Sequence, residues 1–343
     1  MYYLGIDCHK YFSYVTALDE TGQVKFKGKM GNRKDDFERL LNGLGERCKA
    51  TVETGYDWGI IYDMLTEMGV EVILAHAKKI KLITMNPQKT DKRDSLILAQ
   101  LLRTNMIPRV YAPTREVRRN KAVLRERQFY TKIRTMTKNK VHKLLYRNGI
   151  KMNGYSDAFG KSGRRYMEEA ELPKTEKVLL DNELDMLDVI NAKIKTVEKS
   201  AGEITKENRY VELIKTIPGL GVVLSRTIAL EIADIARFSK AKKLASYSGL
   251  VPKEHSSSDH IYRGSLIKDC NKHLKEALIE GAWVAIRCSA YFESIYANVK
   301  SRRGGNKAIV AVARQMAEII YYMLKENRSY VERYTADNKM AAL

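Results

Sequence analysis

Apolar runs of membrane length are missing from this chain: the longest, such as Ala308 to Ala313, stop well short of the ~18 residues that a spanning helix needs. The opening Met-Tyr-Tyr-Leu-Gly-Ile-Asp has neither a basic leader segment nor a cleavage site. A cytoplasmic protein with no membrane partner is therefore expected. Cysteine is scarce as well. Cys8, Cys48, Cys270 and Cys288 form no C-x-x-C pair, which excludes a zinc ribbon and a disulfide framework and leaves reduced thiols with no assigned role. No G-x-S-x-G elbow marks a serine hydrolase. Nor does a glycine-rich phosphate loop follow Gly5-Ile6-Asp7; Cys8-His9-Lys10 stands there instead, which removes the sugar-kinase and actin-like ATPases that share such a start.

What the chain has in excess is positive charge. Its 343 residues carry a formal net charge of +20, with 44% apolar and 30% charged residues, a composition suited to two or three globular domains. The charge is uneven: residues 1 to 112 hold 17 Lys or Arg against 14 Asp or Glu, whereas Arg115 to Arg147 hold 12 against 2. Half of the excess thus lies in one segment. As a single helix it makes a basic rod ~50 Å long, able to follow a phosphate backbone. The competing reading, a solvated coiled-coil face, is disfavoured because such faces mix signs. The expected nucleic-acid contacts are Arg118, Arg119, Arg125, Arg127, Lys132, Arg134, Lys138, Lys140 and Lys143; they point many ways around the helix, so some must be solvated.

Three stretches are expected: 1–112, 113–208 and 209–343. In the first, Tyr3 to Asp7, Ser13 to Leu18 and Val24 to Gly28 read as a meander of short strands. A helix at Lys34 to Arg47, a strand at Ala50 to Glu53, a helix at Trp58 to Met68 and a strand at Val70 to Ala75 follow. The order β-β-β-α-β-α-β is that of a RuvC or RNase H-like α/β domain, in which the first and fourth strands end side by side. Asp7 and Glu53 then face one cleft. Asp91 and Asp94 open a helix, Asp91 to Leu102, with Thr90 as its N-cap, and their i, i+3 spacing puts both on one face.

The second stretch, beginning after Pro108 and Pro113, is helical. Val117, Leu124, Ile133, Met136, Val141 and Leu144 form a broken stripe on the basic helix, and an irregular segment around Gly149, Gly154, Gly160 and Gly163 follows. Leu180, Leu184, Leu187, Ile190, Ile194, Val197, Ala201 and Ile204 keep 3-4 spacing within a second long helix, Glu176 to Glu207. That register favours a coiled coil, within one chain or between two. The third stretch reads as all-helical. It opens on Ile217-Pro218-Gly219-Leu220-Gly221 before a helix at Val222 to Ile232, a helix-hairpin-helix-like turn in which the backbone at Gly219 and Gly221 can approach a phosphate. A helix at Lys240 to Tyr247 capped by Ser239, a polar loop from Lys253 to Gly264, and helices at Leu266 to Cys288 and Asn306 to Asn327 complete it.

Four carboxylates, Asp7, Glu53, Asp91 and Asp94, in a basic protein suit a Mg²⁺ or Mn²⁺ site for phosphodiester chemistry, because hard cations take oxygen ligands and can stabilise attacking and leaving phosphate oxygens. Each acid alone reads as a surface residue, and Asp91 and Asp94 alone as ordinary helix-start acids. A non-catalytic nucleic-acid-binding protein accounts for the charge but not for the four acids. The polar loop offers Ser256, Ser257 and Ser258 as candidate attackers of phosphorus, with Lys253, Arg263 and Lys268 near enough in sequence to ease the charge on the phosphate.

Several ordered motifs resemble one family. Gly5-Ile6-Asp7-Cys8-His9-Lys10, Thr90-Asp91-Lys92-Arg93-Asp94-Ser95, Leu98-Ala99-Gln100-Leu101-Leu102-Arg103, Asn139 to Leu145, Ile217 to Gly221, and Phe238-Ser239 through Leu244-Ala245 to Gly249-Leu250-Val251-Pro252 are similar to the DEDD transposases of bacterial insertion sequences, the insertion-sequence-one-ten family, which is related to the Piv DNA invertases. The resemblance implies a RuvC-like nuclease domain, a coiled coil and a carboxy-terminal transposase domain. It implies a recombinase guided by a structured non-coding bridge RNA that pairs with donor and target DNA. It further implies dimers that pair into tetramers, in which a serine of one protomer completes the acidic site of another and becomes joined to DNA. Carried over, Asp7, Glu53, Asp91 and Asp94 are the metal-binding acids, and counting from Pro252 selects Ser257 as nucleophile, with Ser256 and Ser258 as neighbours. The glycine that usually follows that serine in the family is replaced here by Ser258. A RuvC-like nuclease that forms no serine adduct is the alternative.

Overall fold

The computed structural model describes residues 1–55, 58–84, 90–257 and 260–332, with the backbone alone described at 81–82, 84, 254–257 and 260–263. The chain divides into two compact units, Met1–Arg115 and Glu116–Leu343. Among the described residues no helix is long and apolar enough to cross a membrane.

The first unit is built on a five-stranded sheet. Its strands are β1 (Tyr2–Cys8), β2 (Phe12–Leu18), β3 (Val24–Gly31), β4 (Cys48–Glu53) and β5 (Glu71–Ala75), in the spatial order β3-β2-β1-β4-β5. β1 pairs antiparallel with β2 and parallel with β4, so the first and fourth strands are neighbours, as the sequence led one to expect. Alternation sorts the faces. Leu4, Ile6, Val15, Ala17 and Val52 share one core with Phe37 of α1 (Lys34–Leu44) and with Ile61 and Leu65 of α2 (Trp58–Glu67). Tyr3 and Ile73 belong to a second core, with Leu98, Leu101 and Leu102 of α4 (Asp91–Arg103) and Ile80 of α3 (Ala77–Thr84). The short helix α3 was not anticipated. This sheet flanked by helices fits a RuvC-like transposase domain.

The second unit starts with α5, which spans Arg115–Arg147 as one 33-residue helix, the bounds that its charge block suggested. The helices α6 (Lys161–Glu168) and α7 (Lys174–Ile204) follow. Ion pairs Arg147–Glu176, Lys140–Glu183 and Arg127–Glu198 tie α5 to α7 in antiparallel register, and Val141, Leu144 and Leu145 share a core with Leu180, Leu184 and Leu187. Met136, expected in the apolar stripe, is 71% exposed. The segment expected to be irregular contains α6, which starts after Gly160 and brings Met167 into that core.

The remaining elements are α8 (Arg209–Ile214), α9 (Val222–Ile232), a 3₁₀ turn (Ile235–Arg237), α10 (Ala241–Tyr247), β6 (Pro252–Ser257), β7 (His260–Leu266), α11 (Lys272–Cys288), α12 (Ala290–Arg303) and α13 (Gly305–Lys325). Three expectations are corrected here. The stretch is not all-helical: the polar loop is an antiparallel hairpin in which Glu254 pairs with Arg263 and Ser257 with His260. The apolar and aromatic Ile261-Tyr262 favours an extended chain, and the polar composition concealed it. The helix expected from Leu266 begins at Lys272, because Leu266 still belongs to β7 and Asn271 caps the helix by accepting from the Leu274 N–H at 3.0 Å. Lys240, not Ser239, occupies the N-cap of α10. The helix α12 escaped notice because Phe292 is its one buried residue, so no apolar stripe marks it.

Candidate metal centre and nucleic-acid interface

Asp7 stands one residue beyond Ile6, which pairs with Val52, so Asp7 and Glu53 lie at the same end of adjacent parallel strands. The helix α4 reaches this end because β1 carries Gly5. A Cβ on Gly5 would meet Ser95 O at 2.1 Å and Ala99 N at 2.3 Å, so the helix backbone lies directly on the strand, in a place no larger residue can occupy unshifted. Beside this contact, the buried hydroxyls of Thr16 and Ser95 hydrogen bond at 2.9 Å. Docked this way, the first turn of α4 brings Asp91 to the end of β1. Thr90 takes the N-cap position with an extended backbone but makes no side-chain cap bond, so that part of the expectation is not met.

Ligand atoms of Asp7, His9 and Asp91 all lie within 4.8 Å of one another. Of the four predicted acids the structure thus gathers Asp7 and Asp91 into one tight group. Glu53 sits at the neighbouring strand end and Asp94 in the same helical turn as Asp91; neither belongs to that group among the described residues. The member that sequence reasoning missed is His9. Its Nε2 stands 3.4 Å from Asp7 Oδ2 and 3.3 Å from Asp91 Oδ2. The available signal was its position two residues after Asp7, on the turn leaving the strand.

The turn that carries His9 is well braced. The His9 N–H donates to Phe12 O at 2.9 Å, and the imidazole stacks on the Phe12 ring with centroids 4.7 Å apart. Asn32 Nδ2 donates to His9 O at 2.6 Å, while Ser13 Oγ donates to Asn32 Oδ1 at 2.7 Å. His9 Nε2 itself is shielded from solvent yet has no hydrogen-bond partner among the described residues. A shielded polar atom 3.3–3.4 Å from two carboxylates that forms a hydrogen bond with neither fits a centre that takes a divalent ion.

Ser257 ends β6, and Ser256 precedes it; their side chains, and all of Ser258, lie outside the described residues. Lys253 and Lys268 are exposed, whereas the Arg263 side chain is not described. Gly219, at φ +89, backs onto α11: a Cβ there would meet Gly281 O and Ala285 N, each at 2.6 Å. That glycine therefore permits a close turn-to-helix contact. Gly221, the N-cap of α9, faces open space.

The cations of α5 divide into two sets. Arg125 holds buried Glu231 through Nε and Nη2 at 2.7 and 2.9 Å, Arg127 pairs with Glu198, Lys132 with Glu276 and Lys140 with Glu183. Lys138 lies over the Phe159 ring, 4.5 Å from its centroid. Arg119 and Lys143 are exposed, and with Arg134 they form no ion pair among the described residues. Arg118 is partly buried. Burial pushes the amine of Lys121 down to about 8, Glu231 opposing the shift and the charges of Arg237 and Arg125 reinforcing it. Burial is the largest influence on the Glu231 carboxyl and acts to raise it, but the hydrogen bonds and charge of Arg125, the Asn271 hydrogen bond and the charge of Lys121 together hold the group below its ordinary value.

The sequence matches two family profiles. Residues 4–148 match a DEDD-type profile described as a transposase, and residues 211–297 match the Transposase IS116/IS110/IS902 family. The chain is 24% identical to the transposase for insertion sequence element IS1111A of Coxiella burnetii, over 95% of this chain and 90% of that one. It is 27% identical to the putative transposase y4rJ of Sinorhizobium fredii, over 87% and 85% of the two chains. A shorter match, 30% identical over 37% of this chain and 40% of the relative, is to the pilin gene-inverting protein of Moraxella bovis. With both profiles in their expected order and Asp7 and Asp91 gathered by the fold, this chain belongs to the IS110-type family of insertion-sequence transposases.

Proposed function

We propose that the protein joins element DNA to target DNA by strand exchange, guided by a structured RNA of the element, at a centre formed by Asp7, Glu53, Asp91 and Asp94 together with a serine, Ser257, from the β6–β7 hairpin of another protomer. The observation that carries this reading is the docking of α4 on β1 through Gly5, which brings acids 84 positions apart in sequence, Asp7 and Asp91, into one group. A bound Mg²⁺ or Mn²⁺ would neutralise charge that develops on the phosphate oxygens. Ser257 Oγ attacks phosphorus and the P–O bond to one deoxyribose breaks, that oxygen leaving with the serine's proton; a deoxyribose hydroxyl of the second DNA then attacks the same phosphorus, the P–Oγ bond breaks, and the hydroxyl's proton returns to the serine. Arg119, Arg134 and Lys143 are the α5 cations best placed for nucleic-acid phosphates, because no acid of the described chain neutralises them. The carriers of this work are dimers pairing into tetramers in the bacterial cytoplasm.

Strand joining on element-end DNA with bound RNA tests the metal reading. Asp7→Asn should abolish joining, by about 10³-fold or more, with RNA binding kept; unchanged joining refutes the assignment. Trapping the protein–DNA adduct and mapping the modified peptide tests the serine. Recovery of DNA on Ser257 supports strand exchange through that residue, whereas cleavage without any adduct favours the nuclease reading.

A further inference from the structure

We infer that His9 is a nitrogen ligand of the metal centre, joining Asp7 and Asp91, and that it shifts the site's preference from Mg²⁺ toward a first-row transition ion such as Mn²⁺. The inference rests on the metal reading above and adds a donor that the four-acid set does not contain.

Distance separates the alternatives. A histidine that bridges two carboxylates by charge-assisted hydrogen bonds approaches them to about 2.7–2.9 Å. Two cis donors on an ion bound at about 2.0–2.2 Å stand about 3 Å apart. The separations of 3.4 and 3.3 Å from Nε2 to Asp7 and Asp91 are too long for the first arrangement and near the second. The ring is also held in place. It stacks on Phe12, and its backbone is fixed at N–H by Phe12 O and at C=O by Asn32, so Nε2 points between the two carboxylates without a hydrogen-bond partner of its own. A ligand whose rotamer is set in advance loses little freedom when the ion arrives. Oxygen-only sites suit Mg²⁺, while an imidazole nitrogen favours divalent transition metals.

Electron spin echo envelope modulation on the Mn²⁺-loaded full-length protein reads the ligand directly. Protein carrying ¹⁵N-histidine in a ¹⁴N background should show the ¹⁵N pattern of a directly bound imidazole, and His9→Gln should lose that pattern while still binding Mn²⁺ about 10-fold or more weakly. A bound Mn²⁺ with no histidine nitrogen in the unsubstituted protein, or a pattern that survives His9→Gln, overturns the inference. If His9→Gln fails to fold by circular dichroism, His9→Asp decides: its preference for Mn²⁺ over Mg²⁺ should fall about 10-fold, and an unchanged ratio overturns the inference equally. Asp91→Asn keeps the two readings apart. Should Mn²⁺ bind it undiminished, the acid site itself is misplaced; should Mn²⁺ depend on Asp91 but not on His9, only the nitrogen ligand is wrong.

Discussion

Two acidic groups in this protein meet basic side chains in opposite ways. Glu231, 3% exposed in the second unit, has its oxygens at 2.7 and 2.9 Å from Arg125, accepts from Asn271 Nδ2 at 2.8 Å, and has the amine of Lys121 at 3.8 Å. Asp7 and Asp91, at the end of β1, have a histidine nitrogen at 3.4 and 3.3 Å that forms no hydrogen bond with either, and Asp91 keeps 40% of its side chain in solvent. The first arrangement satisfies a buried carboxylate and joins α5, α9 and α11. The second leaves two carboxylates and a histidine nitrogen within 4.8 Å of one another, partly exposed to solvent. On the reading proposed above, like charges serve stability in one place and metal binding in the other.

Deleting one charge at each place is the strongest way to break that contrast. Glu231→Gln should lower unfolding stability by about 3–5 kcal/mol, because it leaves buried Lys121 without its counter-charge and removes the pairing partner of the partly exposed Arg125. Asp91→Asn should change stability by about 1 kcal/mol or less, since a helix-start acid contributes little, while Mn²⁺ binding is lost. Urea denaturation of both variants checks the pair. Comparable losses of stability would mean that the acids at β1 are structural after all.

A smaller effect is expected at the contact that brings the acidic site together. Gly5→Ala places a methyl group 2.1 Å from Ser95 O, so α4 must retreat, at a cost of about 1–3 kcal/mol. Asp91 moves with the helix, so Mn²⁺ affinity should fall although no ligand has been altered. The same variant with normal affinity would show that the docking does not position the site.

Much of this contrast was legible in the sequence, for physical reasons. Tyr3 to Asp7 was legible as the first of three short strands in a meander, and the one-signed block from Arg115 to Arg147 matches the bounds of α5. Asp7 and Asp91 were found only as part of a set: alone each reads as a surface acid, and it was the strand order beside Glu53, with the family-like motifs around both acids, that joined them. His9 was not found, since a lone histidine on a turn has no period or cap to declare it. Nor could composition show which α5 cations are occupied. Arg125 is neutralised by Glu231, a residue 106 positions away, and only packing makes that partnership. The β6–β7 hairpin was hidden by its polar residues, whose pairing depends on backbone hydrogen bonds rather than on an apolar face.

The pH dependence of the Glu231 cluster offers the most specific measure of how it differs from the acids at β1. Burial lowers the Lys121 amine from 10.5 to about 8 in the folded protein, so between these values the unfolded chain binds more protons than the folded one. Stability must then rise with pH across that window, by at most about 1.4 kcal/mol per pH unit for one group, and the contribution is lost as pH falls through 8. The Glu231 carboxyl, held below its ordinary value, acts in a separate window: its contribution persists above the usual carboxylate range and disappears only in acid, as pH falls through its lowered value. Comparing the protein with Lys121→Met cancels the titrating groups that Lys121 does not touch, and Glu231, its coupled neighbour, titrates only in acid. The stability gap between the two should be flat near neutrality and should move in favour of lysine from pH 8 to 10.5. A gap that stays level throughout would mean that Lys121 remains charged beside Glu231 and that this cluster is a simple ion pair.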